Sequence, residues 1–247
     1  MQTLLSNLRE FKLSGIVSSL EERLIYAKSN KLSYQELLEL LCEDEKNNRR
    51  DNRYQKRRKN AKLPTIKRLE DFDFSFQPSI DQRSINDIAT CQFIKSKENV
   101  ILQGDSGTGK THLAISFALK ALEKEYSVFF TTVSDMLYNL HSSKVDNTYH
   151  KKIRTLASYD LLILDELGFK QLPKYSSDDL FNVISKRYEQ KSTIITTNKE
   201  VDKWNDIFDD NMLTKAIVDR IMHYVTMFNI KGKSYRRKKL KREAAMN

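Results

Sequence analysis

Apolar residues recur along the first quarter of the chain at the spacing of amphipathic helices. In residues 1–62 they return every three or four positions, with a break near Ser14 and Gly15. That period places the apolar side chains on one face of a helix. The first two predicted helices carry the apolar residues Leu4, Leu5, Leu8, Phe11, Ile16, Val17, Leu20, Leu24 and Ile25.

A third helix is predicted from the pair Ser33 and Glu36, which forms a capping box. In this motif each side chain satisfies a free backbone N–H group at the start of a helix. Leucines extend to Leu41, and from Cys42 to Lys62 the sequence is polar, with no Pro or Gly to end the helix. An uninterrupted helix of this length spans roughly 40 Å at 1.5 Å per residue.

From about residue 80 the pattern changes to short apolar runs separated by helical segments. The predicted helices cover 81–93, 110–124, a segment from Ser134, 148–157, 177–189 and 213–223. The predicted strands are NVILQG, SVFFTT, DLLILDE, STIITTN and YVTMFNI. This alternation is typical of a parallel sheet covered by helices on both faces. The sequence therefore predicts an α/β domain preceded by a small, all-helical N-terminal domain.

The connection between the two parts contains Pro64 and then three phenylalanines. Phe72, Phe74 and Phe76 occur at a period of two, which indicates an extended segment with one buried face. We place the boundary so that residues 1–65 form the helical region and residues 66–247 form the α/β domain.

The composition indicates in which cellular compartment the protein is expected. Hydrophobic residues make up 39% of the 247-residue chain, and no apolar run approaches the roughly 20 residues of a membrane span. The N-terminus has no signal peptide pattern. Cys42 and Cys91 are far apart in sequence, and they fit a reducing compartment. We expect a cytoplasmic protein with no membrane contact.

The basic charge is concentrated in two segments. The formal net charge is +10, whereas residues 49–59 contribute seven basic and one acidic residue and residues 231–242 contribute eight basic and no acidic residues. Concentrated cations favour a polyanion such as DNA, although a solvated helix face or a solubilising tail would have the same composition. The candidate DNA-binding residues are Arg49, Arg50, Arg53, Lys56, Arg57, Arg58, Lys59, Arg237, Lys238 and Lys239.

The sequence GDSGTGKT, residues 104–111, lies between a predicted strand and a predicted helix, which is the context of a phosphate-binding loop. Its glycines allow backbone N–H groups to face phosphate oxygens, and the helix N-terminus adds a partial positive charge. Lys110 can reach the β- and γ-phosphates, and Thr111 can bind Mg²⁺. A chance glycine-rich turn is the alternative. The candidate nucleotide-binding residues are Gly104, Asp105, Ser106, Gly107, Thr108, Gly109, Lys110, Thr111, His112 and Asp165.

Two acidic residues end the strand DLLILDE. Asp165 can hold Mg²⁺ together with Thr111, and Glu166 can orient or deprotonate an attacking water, so the pair favours ATP hydrolysis. Asn198, at the end of the next strand, can position that water or cap the following helix.

A GTPase is a competing interpretation of the same loop. Residues 165–168, DELG, match the pattern D-x-x-G. In NKEVD, however, Val201 occupies the position where a guanine-reading aspartate is needed, and Asp202 is one residue too late. A carboxylate that misses the base leaves the guanine donors unpaired, so the sequence favours ATP.

The order of these motifs resembles the AAA+ ATPases, and within them the IstB transposition helpers and the DnaC/DnaI helicase loaders. The resemblance to IstB covers nearly the whole chain, and it rests on EDFDFSFQPSID, FIKSKENVILQGDSGTGKTHLA, YDLLILDELGF, ISKRYEQKSTIITTNK and NIKGKSYR. It implies a P-loop AAA+ fold with residues 104–111 as the Walker A loop.

The resemblance also implies roles for single residues. Asp165 and Glu166 become the Walker B pair and Asn198 the sensor-1 group. Arg220 becomes an arginine finger that acts on the γ-phosphate of a neighbouring subunit, with a surface salt bridge as the alternative. Arg236 becomes a sensor-2 residue, with a DNA phosphate contact as the alternative.

The implied activity is a Mg²⁺-dependent ATPase that forms a homo-oligomer on double-stranded DNA without sequence specificity. It would remodel the DNA and stimulate the transposase of the same insertion sequence. A helicase loader would share every ATP-site residue and differ in its partner. A non-catalytic DNA-binding module that uses ATP only as a structural ligand would show no turnover, and Glu166 argues against it.

Overall fold

The fold is described from a computed structural model that covers residues 1–169, 172, 176–208 and 210–235. The chain divides into two compact units, Met1–Arg57 and Arg58–Asn247. The first unit is helical, as predicted, and the second contains the sheet. No helix in the described parts of the chain is long and apolar enough to cross a membrane.

Three helices form the N-terminal part: α1 (Gln2–Glu10), α2 (Ser14–Asn30) and α3 (Tyr34–Asn60). The predicted capping box is present at the start of α3. The Ser33 amide donates to Glu36 Oε2 over 2.7 Å, and the Glu36 amide donates to Ser33 Oγ over 3.3 Å. The predicted third helix is therefore confirmed at its start and nearly to its predicted end.

Helices α2 and α3 approach closely at Gly15. The Glu45 carboxylate of α3 accepts the Gly15 amide over 2.6 Å and the Ile16 amide over 3.3 Å, so it caps the N-terminus of α2 from another helix. Further along the same two helices, Arg23 and Asp44 form a two-pronged ion pair with distances of 2.8 and 2.7 Å. Hydrogen bonding to Arg23 lowers the pKa of Asp44 to about 2.

The phenylalanine segment is not extended, so that prediction was wrong. It forms two short 3₁₀ turns, Leu69–Asp71 and Phe74–Phe76. The reason is local: Asp73 accepts the Phe76 amide over 3.1 Å, and such side-chain-to-backbone bonds compete with extended structure. Phe72 is nevertheless buried, and its ring meets the ring of His112 edge-on at 5.3 Å.

A five-stranded sheet lies at the centre of the second unit. Its strands are β1 (Asn99–Gly104), β2 (Val128–Thr132), β3 (Leu161–Leu167), β4 (Ser192–Thr197) and β5 (Val225–Ile230). All neighbouring strands are parallel, in the order β2-β3-β4-β1-β5. The predicted strands are confirmed to within one residue at each end.

Two helices precede β1: α4 (Gln82–Ala89) and α5 (Gln92–Ser96). The helices between the strands are α6 (Lys110–Glu123), α7 (Val133–Ser142), α8 (Tyr149–Ser158), α9 (Ser176–Arg187) and α10 (Asn211–Met222). The helix predicted over 81–93 is interrupted, because Cys91 has a positive φ of 59°. Asp81 caps the first piece, α4, as expected. Parallel strands end at one edge of the sheet, so residues that follow β1, β3 and β4 come together there.

Candidate nucleotide-binding site

The loop between β1 and α6 has the backbone of a phosphate cradle. Gly107 and Gly109 have φ angles of 82° and 102°, which are unfavourable for any residue that has a side chain. Each also faces a close neighbour: an added Cβ would lie 2.2 Å from Ser234 Oγ at Gly107 and 2.6 Å from the Phe72 ring at Gly109. Both positions therefore require glycine, and α6 begins directly after the loop with its N-terminal amides available for an anion.

Lys110 folds back over this loop. Its Nζ donates to the Gly104 carbonyl over 2.7 Å and to the Asp105 carbonyl over 2.8 Å, and the residue is buried. The ring of Phe169 lies 5.9 Å from the same ammonium group. The lysine charge is thus held beside the loop, at the place where phosphates would bind.

A cavity of about 600 Å³ opens above the loop, a volume typical of small-ligand sites. Its wall contains the loop, the start of α6 and residues from distant parts of the chain. These are Pro64, Thr65, Ile66, Lys67, Asp71, Phe72, Asp73, Gln77, Ser106, Gly107, Thr108, Gly109, Lys110, Thr111, His112, Ile115, Glu166, Phe169, Thr196 and Tyr235.

Asp165 and Glu166 lie at the cavity in different environments. Asp165 is buried, and the Thr111 hydroxyl, with its one hydrogen shared between the two carboxylate oxygens, lies 2.9 Å from one and 3.1 Å from the other. Glu166 is exposed and lines the cavity, with a φ of 64°. The two adjacent carboxylates therefore differ: that of Asp165 is buried beside a hydroxyl, and that of Glu166 is open to a ligand in the cavity.

The side chains at this edge suit Mg²⁺. Within the described ranges, no group of three or more His, Cys, Asp and Glu side chains could enclose a metal. Mg²⁺ is commonly held by one or two protein oxygens together with substrate phosphates and water. Thr111 and Asp165, in mutual contact at the phosphate loop, provide that arrangement.

His112 contributes to the shape of the site. Its Nε2 lies 2.8 Å from the Arg68 carbonyl, and Ser116 donates to the Lys67 carbonyl over 3.0 Å, so α6 fixes the segment that forms one cavity wall. Burial lowers the pKa of His112, which favours the neutral imidazole at neutral pH.

Two of the predicted catalytic residues, Asn198 and Arg220, are not part of the cavity wall. Asn198, one position after β4, is exposed, and the β4 residue in the wall is Thr196. Arg220 lies on α10, where its guanidinium stacks 4.8 Å from the centre of the Phe181 ring and donates to the Ala216 carbonyl over 2.9 Å. Arg236 lies outside the described residues.

Several wall residues were not assigned from the sequence. Tyr235 reaches the loop because its amide donates to the Gly107 carbonyl over 2.9 Å. Gln77 donates through Nε2 to the Lys233 carbonyl over 3.1 Å, which ties the segment before the sheet to the segment after β5. These contacts join residues more than one hundred positions apart, and no local pattern marks them. Only Thr196 of these could have been suspected from the sequence, because its hydroxyl lies at the polar end of a buried strand.

The candidate DNA-binding residues of the first run lie on the second half of α3. Arg49 donates to Glu45 Oε1 over 2.6 Å, so part of its charge is already paired. Arg50, Arg53, Lys56 and Lys59 are exposed, whereas Arg57 and Arg58 are half-buried. Of the second run, Arg237, Lys238 and Lys239 lie outside the described residues.

Comparison with known proteins identifies relatives over nearly the whole chain. The family described as IstB-like ATP binding protein matches residues 6–244. An IS21 insertion-sequence ATP-binding protein of Pseudomonas aeruginosa is 38% identical over 246 residues, which cover 100% of this chain and 91% of that protein.

Solved structures with the same fold include those of DnaI and of the DnaC helicase loader. A DnaI structure has a TM-score of 0.57 at 21% identity and covers 67% of this chain and 91% of its own. A structure of the DnaC helicase loader has a TM-score of 0.53 at 24% identity and covers 70% and 97%. Both similarities establish the P-loop AAA+ fold.

Proposed function

The chain belongs to the family of IstB-like ATP-binding proteins, and we propose that it is an ATPase that assembles on duplex DNA and stimulates the transposase of an insertion sequence. The observation that carries the ATPase part is the single cavity wall formed by Lys110, Thr111 and Glu166. Asp165, in contact with Thr111, lies directly behind it. Residues 66–247 would carry out the ATP chemistry, and residues 1–65 would support assembly and DNA binding.

Each group in the wall has a role that follows from its position. The loop amides and Lys110 bind the phosphates, and Lys110 would exchange its carbonyl partners, Gly104 and Asp105, for phosphate oxygens. Thr111 and Asp165 would hold Mg²⁺, which neutralises charge on the β- and γ-phosphates.

Glu166 is the proposed general base. Its carboxylate is exposed to the cavity, whereas that of Asp165 is already occupied by a hydroxyl. A base must lie within hydrogen-bond reach of the water whose proton it takes, and of the two carboxylates only Glu166 belongs to the cavity wall. Asn198 is proposed to help position the same water.

We assign Arg220 to a neighbouring subunit's site. It lies half-buried on α10, outside its own cavity wall, with its guanidinium stacked on Phe181. An arginine supplied from another chain can stabilise the charge of the transition state. Arg236 is proposed as a second contact to the nucleotide, because Tyr235, the residue before it, already lines the cavity.

Duplex DNA is the proposed polyanion, bound without sequence specificity. Arg49, Arg53 and Lys56 recur at spacings of four and three residues on α3, so they share one helix face. Lysine and arginine contacts to phosphates release counterions and carry no sequence information. Arg49 is already paired with Glu45, so Arg50, Lys56 and Lys59, which are exposed, are the candidates chosen for the test below.

A transposase is proposed as the partner because the Pseudomonas aeruginosa relative is described as an insertion-sequence protein. The similarity to DnaI and DnaC concerns the fold, and it does not favour helicase loading over transposition.

ATP-dependent assembly on DNA tests the proposal. We expect the full chain to form oligomers on duplexes of two unrelated sequences when a non-hydrolysable ATP analogue is present, as measured by mass photometry. Lys110→Ala should remain unassembled at the same analogue concentration, because the phosphates lose their cation. A chain that stays monomeric with both analogue and DNA would contradict the assembly proposal.

The salt dependence of the same binding identifies the DNA surface. Replacing Arg50, Lys56 and Lys59 with Gln should reduce the slope of log K against log salt by about 0.9 for each DNA phosphate that is no longer neutralised. A matched control replaces the exposed residues Lys95, Lys97 and Lys186, which lie outside α3, and removes the same charge. Equal slopes for the two triple variants would exclude α3 as the main DNA-binding surface.

A further inference from the structure

Strand β3 contains an irregularity at its functional end. β3 and β4 pair regularly up to Leu164 and Ile195, and pairing resumes between Leu167 and Thr197. Two residues of β3, Asp165 and Glu166, therefore lie opposite the single residue Thr196. This is a β-bulge, a feature that redirects side chains and is frequent beside active sites.

Thr196 fills the gap that the bulge leaves in the hydrogen-bond ladder. Its hydroxyl accepts the Glu166 amide over 3.0 Å and donates to Asp165 Oδ1. One hydroxyl can donate one hydrogen bond and accept others, so both contacts form at once. Thr196 is buried, and it also lines the cavity.

The backbone of Glu166 needs such support. A positive φ is unfavourable at a residue other than glycine, and Glu166 holds a φ of 64°. The bond from its amide to Thr196 fixes this conformation, in which the Glu166 side chain borders the cavity. The second bond fixes the carboxylate that Thr111 also contacts.

We propose that Thr196 is a positioning residue for ATP hydrolysis, whose hydroxyl holds the backbone of Glu166 and the carboxylate of Asp165 in one arrangement. The inference rests on the proposed ATPase function. Thr196 acts through these two residues and makes no assigned contact with the nucleotide. Its loss should therefore lower turnover much more than nucleotide binding.

The neighbouring Thr197 provides a matched control. It is equally buried on β4, and its hydroxyl also bonds to β3, donating to the Leu167 carbonyl over 3.0 Å. It accepts the Lys199 amide over 3.1 Å, and it makes neither of the Thr196 contacts to Asp165 and Glu166. Replacing either threonine with valine removes one buried hydroxyl from the same strand at nearly constant volume.

The test compares Thr196→Val, Thr196→Ser and Thr197→Val in the full chain. For Thr196→Val we expect kcat to fall about 10²-fold, the scale of a misplaced catalytic group, while the Kd of a non-hydrolysable ATP analogue changes less than about threefold. Thr196→Ser, which keeps the hydroxyl, should recover most of the turnover. Both valine variants lose one buried hydroxyl, so they should lower the melting temperature by similar amounts. Thr197→Val should nevertheless retain kcat within about threefold of the unaltered protein.

Each outcome decides the proposal. Equal loss of kcat in the two valine variants, or failure of Thr196→Ser to recover turnover, would assign Thr196 a purely structural role. Loss of analogue binding parallel to the loss of kcat would make Thr196 a binding residue and would also overturn the inference. Absence of turnover in the unaltered protein would instead reject the ATPase proposal itself, and with it the role of Thr196.

Discussion

Glu166 combines an unfavourable backbone conformation with an exposed carboxylate at the cavity wall. Asp165, the preceding residue, is buried and bonded by Thr111 and Thr196. Two adjacent residues of the same chemical type thus acquire different environments from one bulge. At the scale of the residue, this separation is the reason for proposing Asp165 as a ligand of Mg²⁺ and Glu166 as the base for the water.

The exchange Glu166→Gln tests this assignment. The amide keeps the size of the side chain but cannot take a proton, so we expect kcat to fall about 10²–10⁴-fold, the contribution of a general base. The Kd of ATP should change little, because Glu166 makes no assigned phosphate contact. Steady-state phosphate release and analogue titration measure the two quantities.

A control for charge is Glu43→Gln, at an exposed position on α3. It should leave phosphate release unchanged. Turnover by Glu166→Gln at the rate of this control would remove Glu166 from the catalytic role.

The close contact between α2 and α3 requires a residue without a side chain at position 15, where the chain has Gly15. An added Cβ would lie 2.6 Å from Glu45 Cα and 2.8 Å from the Asp44 carbonyl, closer than packed atoms allow. The Gly15 amide also binds the Glu45 carboxylate. At the scale of the element, one glycine therefore sets both the distance between the helices and the capping of α2.

Gly15→Ala changes the stability of the α2–α3 contact in two opposite directions, so the sign of the change shows which effect is larger. Alanine in an isolated helix is more favourable than glycine by roughly 0.5–1 kcal/mol, whereas overpacking costs about 1–3 kcal/mol. We expect the clash to dominate and hydrogen exchange of α2 and α3 amides in the full chain to become faster.

Ser29→Ala, at an exposed position on α2, is the control and should leave the same exchange rates unchanged. Slower exchange in Gly15→Ala would show that helix propensity dominates and that the close contact is absent.

Arg220 becomes relevant at the scale of the whole molecule, because its proposed site of action belongs to another copy of the chain. Arg220→Ala should bind ATP but lose turnover, since the site of its neighbour lacks the arginine. Lys110→Ala should lose nucleotide binding but keep its Arg220. Where Arg220→Ala subunits recruit Lys110→Ala subunits into mixed assemblies, some interfaces pair an intact loop with an intact arginine, about a quarter of them if incorporation is random, so phosphate release should recover.

Two controls sharpen the mixing experiment. A chain with both substitutions, mixed with Arg220→Ala, should recover nothing, because no arginine is present. Lys215→Ala, at an exposed position on the same helix, should behave as the unaltered protein. No recovery in a mixture whose subunits co-assemble would exclude action in trans.

The sequence by itself determined most of the helices and strands, and it identified the loop of residues 104–111 as a phosphate-binding loop. Apolar periodicity is a local property, so it predicted the strands and most helices, and the capping box at Ser33 marked the start of α3. It was wrong where side chains altered the backbone locally, as Asp73 does in the phenylalanine segment and as the turn at Cys91 does between α4 and α5.

Only the tertiary structure decided which residues share the cavity. Pairing of β3 with β4 creates the bulge, and it brings Thr196 to the Asp165–Glu166 pair across 31 and 30 positions of sequence. The packing of residues 64–77 and of Tyr235 against the phosphate loop likewise depends on contacts that no sequence period encodes. Local patterns record the period of an element, whereas a site is built from the ends of several elements that meet only after folding.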